Sequence, residues 1–298
     1  MQQLKHAVAH DIDADTSQSA FRSFAHPGTS IIESYLRVED DVHIRTLCFK
    51  PAEDTDALPI VLVTGLSTVI ESFRGIMQGI TAHHPVIYVE TREKPSSRVT
   101  GTCSFDMDAF SADVCAAVAH HGFEENGYIL AGYSLGAAAI MHGYAELHSK
   151  PNCVILAEPV PAFRFPSWSM PLVKGAVPLY PVVKPFVKWY MRHFMIDTRK
   201  DMEVMRIVER ALDSADPVKL RNTVLAISGY QAWDRLERID RPTLIVATSG
   251  DTLHNHDDIQ RMSSLLRFSE WVDMEDNTRS HSREMAEVMR DYFLKIQP

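Results

Sequence analysis

A serine between two glycines, Gly132-Tyr133-Ser134-Leu135-Gly136, marks the point in this chain of 298 residues where covalent chemistry could be done. The residues before it, Gly127 to Tyr133, are strand-like and apolar, and those after it, Leu135 to Met141, are alanine-rich and helical. Ser134 therefore falls on a strand-to-helix turn. A turn tight enough to present a side chain at its apex excludes Cβ atoms two residues to either side, which is what Gly132 and Gly136 provide. It strains the backbone, lifts the hydroxyl off the sheet, and aims the N–H of Leu135, at a helix start, toward any developing oxyanion. That chemistry is nucleophilic attack on a carbonyl. The bland alternative is a serine that only caps the helix after it. A second cluster, His254, His256 and Asp258 in "HNHDDI", has the H-x-H-x-D spacing of a metal-dependent hydrolase. Ile259 stands where a further histidine is required and no other ligand group accompanies it, so no metal and no cofactor are expected. His254 or His256 would instead sit at the mouth of a pocket.

Presenting Ser134 takes a rigid scaffold, and the hydrophobic pattern supplies one. Ser34 to Lys50 reads as two strands joined at Glu39–Asp41. "PIVLVTG", "PVIYVE", "GYILAGYS", "NCVILAEP", "PTLIVATSG" and "FSEWVDME" read as further strands, the first a run buried on both faces. Helical patterns alternate with them: Val69 to His84, Asp106 to Gly122, Leu135 to Lys150, and a last helix from Ser282 whose Met285, Val288, Met289, Tyr292 and Phe293 form its apolar stripe. Residues 159–241, rich in Pro, Trp, Phe and Met, are too many for a plain loop and are expected to form an inserted helical cap. Within it Phe186, Val187, Tyr190, Met191 and Phe194 share one helical face, and Lys184, Lys188 and Arg192 lie on another, read as a solvated basic face. The fold class is therefore α/β, a mostly parallel central sheet covered by helices on both faces, with a core formed by residues 31–158 and 242–298. Residues 1–30 read as a polar leader with freedom to move, lacking the apolar stretch of a signal peptide. Ligands in such a sheet bind beyond the carboxyl ends of the strands, where Ser134 lies.

With the "GYSLG" elbow in this setting, the chain resembles the α/β-hydrolase superfamily from about Ser34 onward. The resemblance implies an acid and then a histidine downstream of the nucleophile. His281, after the last strand and before the last helix, occupies the position of the base. Asp251, directly after "PTLIVATSG", is the expected acid. Glu158, one strand earlier, is the alternative, and Asp257 with Gln260 reads as a helix cap rather than a rival. The second oxyanion donor is expected at the N–H of Leu66, with Gly65 allowing the turn. The chain departs from the family where Thr64-Gly65 replaces His-Gly and where "ETREKPSS", Glu90 to Ser97, lacks the usual glycines. Glu90, Arg92, Glu93 and Lys94 are read as a surface ion-pair cluster. His83, His84, His120 and His121 read as cations at helix ends.

The resemblance implies hydrolysis of a carboxylic ester or thioester through an acyl-enzyme, with Ser134, His281 and Asp251 as the triad. Trp168, Phe186, Trp189 and Tyr190 are candidate walls of an apolar pocket, or else residues that pack the cap on the core. The neighbouring possibilities are acyl transfer to an alcohol, amine or peroxide, and a non-catalytic carrier of small apolar ligands. With 39 acidic against 30 basic residues the formal net charge is -9, which together with the absence of a recognition motif argues against nucleic acid as a partner. Cys48, Cys103, Cys115 and Cys153 are scattered with no CxxC pair, which suits reduced, buried thiols and a cytoplasmic setting. No apolar run reaches membrane-spanning length, so the expected partner is a small-molecule substrate, without stable membrane insertion.

Overall fold

Short runs of Val, Ile and Leu with no polar alternation have to be covered on both faces, and here they line up at the centre of one sheet. The computed structural model describes residues 9–11, 14–123, 127–196, 202–250 and 256–296. Its strands are β1 (Ala9–Asp11), β2 (Ser30–Glu39), β3 (Val42–Lys50), β4 (Ile60–Val63), β5 (Val86–Glu90), β6 (Arg98–Val99), β7 (Ile129–Tyr133), β8 (Cys153–Ala157), β9 (Thr243–Ala247) and β10 (Ser269–Asp273). They join in the order β1-β2-β3-β5-β4-β7-β8-β9-β10, with β6 paired to β3. From β5 to β10 neighbouring strands are parallel; β1, β2 and β3 form an antiparallel edge. Every residue of β4, β5, β7, β8 and β9 is buried.

The helices are α1 (Ala14–Phe21), α2 (Arg74–Ile80), α3 (Met107–His121), α4 (Leu135–Gly143), α5 (Ser169–Tyr190), α6 (Met202–Ser214), α7 (Pro217–Ile227), α8 (His256–Leu265), α9 (Asn277–Ser280) and α10 (Arg283–Ile296). Alternate strand residues divide the core in two. Val61, Val63, Leu130 and Leu156 pack with Phe110 and Val114 of α3, the α4 alanines and Met262 of α8. Ile60, Leu62, Ile129 and Ile155 pack with Met77 of α2 and with Met285, Met289 and Phe293 of α10. Among the described residues no helix is long and apolar enough to cross a membrane.

Several local outcomes differ from the sequence reading. The leader contributes β1 to the sheet edge and α1 beside it, and the Gln18 side chain holds α1 down by bonding both Thr29 O (2.7 Å) and the Ile31 N–H (2.8 Å). A polar clamp of this kind leaves no hydrophobic period to read. Helix α4 stops at Gly143, where a Cβ would strike the Ser111 side chain, and the Lys150 ammonium takes the carbonyls of Tyr144 and Leu147 that a longer helix would have used. Helix α8 begins at His256, so Asp257 lies in its first turn and is not its cap. His84 lies beyond α2, with its Nδ1 bonded to Leu58 O. His121 does end α3, but burial, with a smaller contribution from His120, lowers its pKa to about 4, so it is neutral there and not a cation.

Helices α5, α6 and α7 all lie between β8 and β9. The two ends of this excursion are tied side by side: Phe163 N–H bonds Tyr230 O, Gly229 N–H bonds Phe163 O, and Ala232 N–H bonds Pro161 O. Lys184 and Lys188 of α5 both pair with Asp213 of α6, and Arg192 pairs with Glu209. The basic face is thus a seam against α6 rather than a solvated one.

Candidate active site

Three of the four described non-glycine residues with positive φ stand at the carboxyl ends of neighbouring strands: Ser67 (51°) after β4, Ser134 (49°) after β7 and Glu158 (47°) after β8. Strain in a folded chain collects where geometry is imposed for function. At Ser134 the imposed geometry is the turn from β7 into α4. A Cβ on Gly132 would lie 2.7 Å from the Ala137 nitrogen, and one on Gly136 would overlap the carbonyl of Val63. Ser134 N–H bonds Ala157 O (3.0 Å) and Ser134 O receives Ala138 N–H (3.0 Å), while its side chain makes no capping bond. The helix-capping alternative therefore fails. Ser134 is half-buried, and its hydroxyl bonds no described residue.

The loop after β4 lies against this turn. A Cβ on Gly65 would come within 3.3 Å of the Ser134 Cβ, so Leu66 follows directly beside the serine. The amides of Leu66 and Leu135 are not taken by any described residue. What fixes the loop is the "ETREKPSS" segment, which is not a surface cluster. Glu90, Arg92, Glu93 and Lys94 are all at most 3% exposed. The Lys94 ammonium donates to Gly65 O and pairs with Glu93 (2.9 Å); the Glu93 carboxylate accepts Ser67 N–H (3.4 Å) and the Thr91 hydroxyl (2.5 Å). Arg92 grips Asp113 through Nε and Nη2 and reaches Glu39 with Nη1. Lys219 of α7 donates to Lys94 O (2.7 Å) and Ser97 O (2.6 Å), tying the excursion to the same segment. Burial of so many charges is tolerable only because each meets an opposite charge or a carbonyl. The partners Asp113, Glu39, Gly65 and Lys219 are remote in sequence, which is why the segment reads as surface.

His281 is buried at the end of α9, not on the surface. Its ring lies between Phe73 (5.0 Å) and Tyr133 (5.3 Å), and the Tyr133 hydroxyl bonds Ser280 O (3.1 Å). Nδ1 donates to Ser72 O at 3.1 Å, since a carbonyl can only accept. Nε2 is 3.5 Å from Glu158 Oε1, which also accepts the Ser280 hydroxyl. Burial pushes the imidazole pKa down, but the Glu158 carboxylate and then the Ser72 carbonyl outweigh it, so the pKa lies above its ordinary value. From α6, Arg210 donates to the Ser72 hydroxyl (3.2 Å) and is held by Glu203 (3.2 Å). Glu158 is placed by register: Tyr133 pairs with Ala157, so Ser134 and Glu158 are side by side, one residue beyond.

Asp251 and His254 lie outside the described residues. Asp258 pairs with Arg164. Trp168, Phe186 and Trp189 are about half exposed, and Tyr190 stacks on Phe194 and meets Trp168 edge-on.

The alpha/beta hydrolase family model matches residues 60–289. The chain belongs to the alpha/beta hydrolase family. Its mostly parallel sheet, covered by helices, is that of an alpha/beta hydrolase, and within it Glu93 and Lys94 brace the Leu66 loop. No curated protein matches the chain in sequence. Solved structures share its fold. An esterase from Exiguobacterium antarcticum superposes with a TM-score of 0.71 at 14% identity, covering 87% of this chain and 98% of that one. A thermophilic esterase from Thermogutta terrifontis gives 0.66 at 18% identity, covering 86% and 95%, and a bromoperoxidase from Bacillus anthracis gives 0.70 at 18%, covering 88% and 99%.

Proposed function

We propose that this alpha/beta hydrolase is a serine hydrolase that cleaves a carboxylic ester or thioester with an apolar part. The observation that carries the reading is the strained, uncapped Ser134 at the end of β7, next in register to Glu158, whose carboxylate lies 3.5 Å from the buried His281. Ser134 Oγ attacks the carbonyl carbon while His281 Nε2 takes its proton. The N–H groups of Leu66 and Leu135 receive the oxyanion. Collapse expels the alcohol or thiol, which takes the proton from His281. Water then repeats the cycle, releasing the acid and restoring Ser134. The Ser72 carbonyl holds Nδ1–H and so leaves the lone pair on Nε2, as a general base requires. Ser134 and Glu158 are neighbours across β7 and β8, so Nε2 has only to move from Glu158 to the serine beside it, with Glu158 remaining next to the imidazolium.

We assign Glu158, rather than Asp251, as the carboxylate that stabilises the imidazolium, because it is buried against the ring. An apolar substrate is supported by Leu66, Val160 and Phe165, partly buried apolar residues on the segments that follow β4 and β8. The test is fluorophosphonate labelling with peptide mapping. Fast modification of Ser134, lost in Ser134→Ala and His281→Ala, is expected, followed by turnover of an ester and thioester panel. A folded protein that does not label at Ser134 overturns the reading.

A further inference from the structure

The geometry points to α5 as a docking element that seats the protein on an anionic lipid surface. Leu172, Leu179, Val182, Phe186 and Trp189 recur at helical spacing and stand about half exposed or more, reaching 74% at Val182, with Phe194 (65%) just beyond the helix. Isolated exposed apolar residues are ordinary, but a stripe along about five turns of one helix is a contact surface that water does not favour. Trp168 and Trp189 flank it, and tryptophan favours the boundary between hydrocarbon and headgroup.

Charge identifies the occupant. From Pro159 to Ile196 the chain has Arg164, Lys174, Lys184, Lys188 and Arg192 and not one carboxylate, in a protein of net charge -9. Asp213 and Glu209 of α6 and Asp258 of α8 hold four of these cations; Lys174, exposed on α5, pairs with no described residue. A helix free of carboxylates meets no repulsion from phosphate headgroups and is drawn to them. A second copy suits the stripe less well, because its own α5 carries no carboxylate to meet Lys174. The helix lies in the interface and does not cross it.

The test uses the full chain carrying Ser134→Ala, so that hydrolysis of lipid cannot enter the result and docking is read apart from catalysis. Sedimentation with vesicles of phosphatidylcholine containing phosphatidylglycerol is expected, weakened by salt, with little on phosphatidylcholine alone. Val182→Asp with Trp189→Ser is expected to reduce the partition at least about tenfold while the melting curve stays in place, since both side chains are exposed. The proposal is overturned if the folded protein ignores anionic vesicles, if both vesicle types bind it equally, or if it is a dimer in solution that Val182→Asp dissociates.

Discussion

Ser134 holds a backbone conformation, φ 49° and ψ -111°, that costs a non-glycine residue about 1–3 kcal/mol. Glycine at that position relieves the strain and gives back roughly 0.5–1 kcal/mol in unfolded-state entropy. Ser134→Gly is therefore expected to raise stability by about 1 kcal/mol in urea unfolding while abolishing fluorophosphonate labelling, a trade between site and fold at a single atom set. Glu158 makes a second expectation at this scale. It raises the pKa of His281, and the base must be neutral, so the acid limb of kcat/KM should lie above the ordinary histidine range. Glu158→Gln is expected to move that limb to lower pH and cut the plateau rate about tenfold or more, whereas Asp251→Asn should leave the limb in place. A limb that moves only with Asp251→Asn would return the acid to the position the sequence favours. The tight turn at Ser134 was legible because the elbow needs two glycines at fixed spacing. The place of Glu158 beside the imidazole was not, because it depends on the adjacency of β7 and β8 and on where a ring comes to rest.

At the level of elements, the loop after β4 and the segment after β5 work as one unit, joined by Lys94, Glu93 and Ser67. Lys94→Met leaves the Glu93 carboxylate buried without its cation and is expected to cost about 3–5 kcal/mol in denaturant unfolding. Glu93→Gln with Lys94→Met should recover most of that loss. Its kcat should stay low with KM little changed, because the Leu66 amide is no longer held in place; full recovery of kcat would show that the pair serves stability alone. The strands themselves were readable from apolar runs, since burial on both faces suppresses alternation. Charges in "ETREK" gave the opposite impression, because partners such as Asp113 and Gly65 arrive only with tertiary structure. The aromatic residues of α5 misled in a related way: sequence reports that Phe186 and Trp189 are apolar, but not toward which side of the helix the rest of the protein lies.

Over the whole molecule, histidines pull stability in opposite directions with pH. His121, with a folded pKa of about 4, is protonated more readily in the unfolded chain, so the fold loses stability as pH falls from about 6.5 toward 4. With its ring only half-buried, that loss is about 2 kcal/mol. His281, raised by Glu158, contributes stability below the unfolded value near 6.5 and loses it as pH rises through its higher folded pKa. Melting followed from pH 7 to pH 4 is expected to show a decline that His121→Asn flattens. The central sheet was evident from the order of strands and helices and the family from the "GYSLG" elbow set in it; the edge strand β1 was not, since its segment carries no periodic apolar pattern.

The tie between the two ends of the excursion bears on how the chain finds its fold. Strands β8 and β9 are adjacent in the sheet, yet Ala157 and Thr243 are far apart in sequence, and closing so long a loop is entropically slow. Once Phe163 has met Gly229 and Tyr230, only short stretches separate the tie from either strand. A distant pairing thereby becomes a nearly local one, and the order of events that this favours is excursion first, β8 with β9 after.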